Sequence, residues 1–209
     1  MILQSRKWRL LFRMVALLIT SLLMLAFAGP ASYALQDDTP KPLTSPIQLL
    51  DRNNPVSGRF VNAAGVPDFA HAFAIKDGGD THYWVPLRGY GNLLFVRTDD
   101  IKYILPFDYS SANGLWDRAQ VHYTGKVTSL SGEPDAEEAI KQLSGQGFRI
   151  DKDKALVLVQ GEMPSTYRPM VPVMPALAFV WGLALVGLLQ ILRRRRPLRT
   201  ERRLVTAPR

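Results

Sequence analysis

The sequence predicts a membrane-anchored α+β protein, which combines a β-rich extracytoplasmic domain containing one helix with one or two transmembrane helices. Three observations lead to this fold class. Long apolar segments lie near both ends of the 209 residues, basic residues flank each segment on its outer side, and short strand-like runs fill the chain between them. Apolar segments bounded by positive charge are typical of membrane spans, so the intervening domain is expected on one side of a bilayer.

The first apolar segment follows a basic stretch at residues 1–13, which we expect in the cytoplasm. Residues 14–35 are interpreted as a transmembrane signal anchor or a signal peptide, because the uncharged core Met14–Ala28 follows four basic residues. Ala26-Phe27-Ala28 and Ser32-Tyr33-Ala34 both satisfy the small-x-small rule for cleavage, so both alternatives stay open at this point.

The second apolar segment, residues 170–192, predicts a transmembrane helix. Its length corresponds to about 34 Å at 1.5 Å per residue, and a hydrocarbon core is about 30 Å thick. Arg193–Arg196 follow it directly, and the positive-inside rule places the Arg-rich tail, residues 193–209, in the cytoplasm. The main domain is therefore expected outside the cytoplasm, attached to the plasma (inner) membrane.

The distribution of charge argues against a nucleic-acid partner. Residues 1–13 carry +4 and residues 193–209 carry +7, so the net +8 of the whole chain leaves −3 for the residues between them. A nucleic-acid-binding domain needs basic residues on a folded face. The expected partners are instead the membrane and another envelope protein. Since the chain has no cysteine, the domain must fold without disulfides.

Residues 36–55 contain four prolines and predict a linker, and residues 56–165 predict the β-rich domain. Gly65–Asp68 and Asp77–Asp80 are typical turn sequences. The predicted strands are Val56–Val61, Phe69–Ile75, Thr81–Leu87, Leu93–Thr98, an edge element at Ile101–Phe107, Gln120–Leu130 and Lys154–Gln160.

Leu93–Val96 is apolar on both faces, which predicts a central strand covered on each side. Gly125 predicts a bend or bulge in its strand. One helix is predicted near Asp135–Ser144, because Pro134 suits a first helical position and Gly145 a C-terminal stop. Short strands, one long strand and one helix favour either a small β-barrel similar to an OB-fold or an α+β sheet.

No catalytic motif is recognisable, so the sequence predicts a protein that is not an enzyme and has no cofactor. The three histidines, His71, His82 and His122, lie on different predicted strands without the short spacing of metal ligands. Sequences typical of serine hydrolases, such as G-x-S-x-G, are missing from the chain.

The best hairpin signal joins Thr81–Leu87 to Leu93–Thr98 through a loop with two glycines, Arg88–Asn92. Aromatic residues accumulate there, and they are either ordinary core or one face of a binding surface with Tyr90 at its tip. His82, Arg88 and Tyr90 are therefore the candidate partner-binding residues.

Val85-Pro86-Leu87 and Leu94-Phe95-Val96-Arg97, together with two membrane segments around an exported β-rich domain, resemble the surfeit-1 family of cytochrome oxidase assembly factors. That family continues its strand motif with Gly-Trp, where this chain has Thr98-Asp99, and the histidine expected before its second helix is missing from Ser165–Pro175. The resemblance implies an accessory factor for a respiratory-type membrane enzyme. The residues themselves favour a membrane-tethered, non-enzymatic binding or scaffolding protein, and an enzyme with an unrecognised site is the third hypothesis.

Overall fold

A computed structural model of the chain describes residues 2–51, 55–100 and 120–193. It divides into two compact units, one formed by the chain ends up to Ser32 and from Pro169, the other by Tyr33–Arg168. The helices are α1 (Ile2–Ala34), α2 (Ile47–Leu50), α3 (Ala136–Gly145), α4 (Pro164–Tyr167) and α5 (Val173–Arg193). The strands are β1 (Lys41–Leu43), β2 (Phe60–Pro67), β3 (Phe73–Asp77), β4 (Asp80–Arg88), β5 (Leu94–Thr98), β6 (Val121–Ser129) and β7 (Leu156–Gln160).

The first unit contains the two predicted apolar helices. The segments Trp8–Ala34 and Pro164–Arg193 are each long and apolar enough to cross a membrane. In α1 the helix continues through Pro30 to Ala34, beyond the uncharged core read from the sequence. The 21 residues of α5 correspond to about 32 Å of helix. Both helices therefore have the length that a membrane span needs.

Within this unit, α1 and α5 pack against each other in opposite directions. The indole Nε1 of Trp181 donates to Ser21 Oγ at 3.1 Å. A second contact joins Arg13 of α1 to Gly187 of α5, because the Arg13 side chain lies where a Cβ at Gly187 would project. Arg13 precedes Ser21 in α1, whereas Gly187 follows Trp181 in α5. The two helices are therefore antiparallel.

The second unit is built on a mixed seven-stranded sheet in the order β1-β2-β6-β7-β5-β4-β3. Most neighbours are antiparallel, but β1 with β2 and β5 with β7 are parallel. One further pairing joins Val66 and Pro67 of β2 to Arg88 and Leu87 of β4. Each of the strands β2, β4, β5, β6 and β7 therefore pairs with two others of the same set.

β5 is a central strand covered on both faces, as its apolar run predicts. Leu94 and Val96 belong to one apolar cluster with Val85 and Tyr123, whereas Phe95 belongs to a second cluster. The second cluster packs against the apolar face of α3, which carries Ala139 and Leu143, both fully buried. The predicted helix is thus confirmed, and it covers one side of the sheet.

Several local predictions are wrong. The expected linker contains β1 and α2, and in the expected turn Gly65–Asp68 all residues up to Pro67 belong to β2. Gly125 lies within the regular ladder between β2 and β7 rather than at a bend. A Cβ there would lie 2.8 Å from the carbonyl carbon of Val159, so the glycine permits close backbone approach. The predicted edge element Ile101–Phe107 lies outside the described residues.

Candidate functional site

The structure does not bring the three candidate residues together. His82 lies near the start of β4 and Arg88 at its end, which separates them by about 20 Å at 3.3 Å per residue. Tyr90 follows two residues later, but its side chain turns into the sheet. The three side chains therefore have different surroundings and different partners.

Tyr90 is a core residue, and the expectation of an exposed aromatic tip is wrong. Only 2% of the residue is exposed, and its hydroxyl donates to the carbonyl oxygens of Leu43 and Ala64 at 2.8 and 2.9 Å. Gly89 and Gly91 have φ values of 98° and 62°, which let the loop fold back. Burial raises the pKa of the Tyr90 phenol above its usual range. The buried tyrosine side chain therefore attaches the hairpin loop to the core.

Arg88 is half-exposed and holds a buried carboxylate. Its Nη2 donates to Asp68 Oδ1 at 2.9 Å, and His71 Nδ1 lies 2.9 Å from Asp68 Oδ2. Asp68 is 7% exposed, and its desolvation raises the pKa. The hydrogen bonds and charges of Arg88 and His71 outweigh desolvation, so the pKa of Asp68 lies below its usual value. Arg88 therefore pairs with Asp68, while part of its side chain remains exposed to solvent.

His82 lies between two carboxylates that come from different parts of the chain. Its Nδ1 is 2.6 Å from Asp99 Oδ1, after β5, and its Nε2 is 3.8 Å from Asp135 Oδ2, at the start of α3. The His82 side chain is 13% exposed, whereas that of Asp99 is 73% exposed. The imidazole therefore connects an exposed carboxylate to a buried one.

Beside His82, a buried ion pair joins β5 to the loop before α3. Arg97 Nη1 pairs with Glu133 Oε2, and Thr128 Oγ1 donates to the other Glu133 oxygen. The side chains of Arg97 and Glu133 are 15% and 7% exposed. Such a pair is expensive to break, because the remaining charge would be buried without a partner. This arrangement orients α3 against the sheet.

The three histidines lie in separate places. His71 faces Asp68, His82 faces Asp99 and Asp135, and His122 Nδ1 lies 3.3 Å from Asn62 Oδ1. In the three described ranges of the chain, no group of three or more histidine or carboxylate side chains is arranged to hold a metal ion.

The two ends of the second unit meet in an aromatic cluster that the sequence analysis did not predict. Tyr33 and Tyr167 form an edge-to-face pair with ring centroids 5.5 Å apart, and Lys126 Nζ lies 4.9 and 5.1 Å from the two centroids. Tyr33 donates from its hydroxyl to the Glu162 carbonyl oxygen at 2.8 Å. We call Tyr33, Lys126, Glu162 and Tyr167 the neck cluster, since it joins the residues that enter and leave this unit.

A cleft with two lobes lies beside the segment that follows α1. The larger lobe has a volume of 340 Å³ and is lined by residues that follow α1, including Leu35, Asp37 and Thr39. The smaller lobe measures 190 Å³ and extends toward Gln48 and Asp51. Lys41 and Arg59 line both lobes. Within the described part of the chain, neither of these two cations has a hydrogen-bonding or ionic partner for its side chain.

Sequence reasoning missed this cleft for a clear reason. Lys41 lies in the proline-rich segment interpreted as a linker, and Arg59 lies in a turn before β2. Residues 40–50 have only a weak pattern of prolines and apolar residues, and they form β1 and α2 instead of an extended chain. Comparison with known proteins adds no assignment, because no family model and no curated protein matches this chain.

Proposed function

We propose that this protein is a membrane-tethered, non-enzymatic binding or scaffolding protein that presents its β-rich unit outside the cytoplasm of the plasma (inner) membrane. One observation carries the proposal: an apolar helix of spanning length lies on each side of the β-rich unit in the chain, and only 6% of the most apolar stretch of each helix is buried. Large side chains such as Phe12, Leu25 and Phe179 are exposed by 74%, 74% and 67%. A bilayer removes such surface from water, with a gain of roughly 25 cal/mol per Å².

Two further observations support the orientation. The antiparallel contacts of α1 with α5 bring the basic ends of both helices to the same side of the pair. The flanks at residues 1–13 and 193–209 carry +4 and +7, and basic flanks are retained in the cytoplasm. The residues between the two helices are then expected on the opposite side of the membrane.

The architecture of the β-rich unit supports a role in binding. We infer that β2, β4, β5, β6 and β7 close into an OB-like barrel, because each pairs with two others of this set. Small barrels of this kind are rigid scaffolds whose loops bind ligands. The pairing of Val66 with Arg88 closes the ring, so V66C/R88C is expected to crosslink under mild oxidation. The pair V66C/K76C is the control, and equal crosslinking of both pairs would contradict closure.

The hairpin loop that follows Arg88 is the proposed partner-binding surface. Tyr90 anchors this loop in the core, while Arg88, Gly91 and Asn92 are exposed. A loop that is fixed before binding loses less conformational entropy on association. His82 lies at the other end of β4, so it is not part of this surface.

Photo-crosslinking tests the proposed surface in intact membranes. A photoreactive side chain at Asn92 is expected to capture one defined envelope protein, and the same group at Lys152, an exposed residue of another loop, is not. Capture at both positions alike, or at neither, would contradict a specific binding loop.

The alternative is an accessory factor for assembly of a respiratory-type membrane enzyme. The arrangement of a β-rich unit between two apolar helices favours it, since this architecture carries the resemblance to surfeit-1 proteins. Co-purification after mild detergent extraction separates the two candidates. Respiratory-enzyme subunits among the crosslinked partners would support the assembly factor.

A further inference from the structure

We propose that the larger lobe of the cleft binds the headgroup of an anionic glycerophospholipid, with Arg59 and Lys41 as ligands of its phosphodiester. The lipid belongs to the leaflet on the side of the β-rich unit. This inference rests on the proposed membrane attachment of the chain. It assigns a ligand class to a cleft that the binding-loop proposal does not use.

The side-chain partners of basic residues in the β-rich unit support this assignment. Arg168 Nη2 donates to Asp38 Oδ2 at 2.7 Å, and Lys126 Nζ lies 3.7 Å from Glu162 Oε2 as well as over two tyrosine rings. Lys41 and Arg59, in contrast, have no side-chain partner among the described residues. Two cations that line one concave surface and make no ion pair among the described residues attract an anion.

Hydrogen bonds connect the segment that follows α1 to the residues on both sides of Arg59. Gln36 lies two residues beyond α1, and its Nε2 donates to the Gly58 carbonyl oxygen at 2.7 Å. Its Oε1 accepts from the Phe60 amide at 3.2 Å. Arg59, which lies between Gly58 and Phe60, is therefore held beside Gln36. Gln36 follows the apolar helix by two residues in the chain, so headgroups of a membrane that holds this helix are close to this segment.

The chemistry of the lining selects a particular headgroup. Arg59 offers a planar fork of donors that matches two phosphate oxygens, and Lys41 adds a single positive charge. Asp37 also lines the lobe, which gives these three side chains a net charge of +1. A phosphodiester of charge −1 whose headgroup carries hydroxyl donors complements this set. Leu35, which is 73% exposed in the same lining, suits contact with the upper part of an acyl chain.

Lipid retention by the full-length protein tests the proposal. The chain is purified in a neutral detergent, titrated with phosphatidylglycerol, and examined for bound lipid by native mass spectrometry. K41Q/R59Q is expected to weaken binding about tenfold or more, because two charge-assisted contacts are lost. R149Q/K152Q removes one arginine and one lysine from exposed positions elsewhere and should bind like the wild type.

Two additional arms keep the outcome decisive. R59K retains the charge and the fold but loses the fork, so it should bind with intermediate affinity; equal affinities of R59K, K41Q/R59Q and wild type would overturn the proposal.

Inorganic phosphate is the competitor, and displacement of the lipid by phosphate at equal concentration would assign the site to free phosphate instead. Failure of lipid binding in a chain with the expected membrane topology would refute this site alone, whereas a wrong topology refutes the proposed function.

Discussion

The side-chain amide of Gln36 hydrogen-bonds to the backbone amide of Phe60, although 24 residues separate them in the chain. The Gln36 side chain also donates to the Gly58 carbonyl oxygen, so it makes the hydrogen bonds that a neighbouring strand would make at the start of β2. The segment directly after α1 is thereby part of the folded unit. The neck cluster has the same effect at the other end, where Tyr33 contacts Glu162 and Tyr167.

The boundaries of the excised β-rich unit should therefore matter. A fragment of residues 33–168 is expected to unfold cooperatively, because it keeps Gln36 and the neck cluster. A fragment of residues 40–166, cut where the sequence alone indicates a linker, loses Tyr33, which is 1% exposed, and Tyr167. Thermal unfolding should show a lower Tm for the shorter fragment. Equal Tm values would contradict a structural role for the neck cluster.

Tyr90 should be required for stability. Tyr90→Phe removes the one hydroxyl that the carbonyl oxygens of Leu43 and Ala64 share, so it should cost about 1–3 kcal/mol of unfolding free energy. Tyr90→Ala also creates a cavity, and about 3–5 kcal/mol is expected. Tyr83→Phe is the control, since that hydroxyl makes no hydrogen bond among the described residues. Denaturant titration of the 33–168 fragment measures all three. An unfolding free energy of Tyr90→Ala equal to that of the wild type would contradict the burial of Tyr90.

The buried ion pair of Arg97 with Glu133 should be costly to break from one side. Arg97→Met leaves Glu133 buried and unpaired, which should reduce the unfolding free energy by about 3–5 kcal/mol. The double variant R97M/E133L should recover most of this loss, because no buried charge remains. Recovery is measured by denaturant titration, and a double variant as unstable as R97M would show that packing, and not charge, is decisive.

Asp68 should give the unit a defined acid sensitivity. Its pKa in the folded state lies below the unfolded value of about 3.9, so its contribution to stability is present above that pH and is lost as the pH falls through the folded pKa. Asp68→Asn should lower the Tm at pH 7 and flatten the decline of Tm below about pH 4. Asp80→Asn, at an exposed residue, is the control. A parallel decline in D68N and wild type would contradict the role of Asp68.

The elements that the sequence predicts well are those whose signal is local. The apolar run Leu93–Val96, the amphipathic helix α3 and the two apolar helices need no distant partner to be recognised. Tyr90 was misplaced because its partner Leu43 lies 47 residues away, and a loop rich in glycine looks like an exposed tip. Likewise, Arg97 and Glu133 are 36 residues apart, so nothing local indicates that they form one ion pair.

The cleft was unpredictable for the same physical reason. Lys41 and Arg59 meet because β1 adds to β2 in parallel, and a three-residue strand within a proline-rich segment has almost no sequence signal. Prolines are compatible with an edge strand that needs few backbone donors, as β1 illustrates. The candidate site therefore depends on a pairing that only the fold reveals.

Labelling of single cysteines in intact cells tests the proposed topology most directly, since the natural chain has no cysteine and gives no background. Lys152→Cys lies in an exposed loop of the β-rich unit, and Arg196→Cys follows the second apolar helix. A membrane-impermeant maleimide should label position 152 in intact cells and position 196 only after lysis. Labelling of 196 in intact cells, or protection of 152, would contradict the central claim that the β-rich unit is tethered outside the cytoplasm.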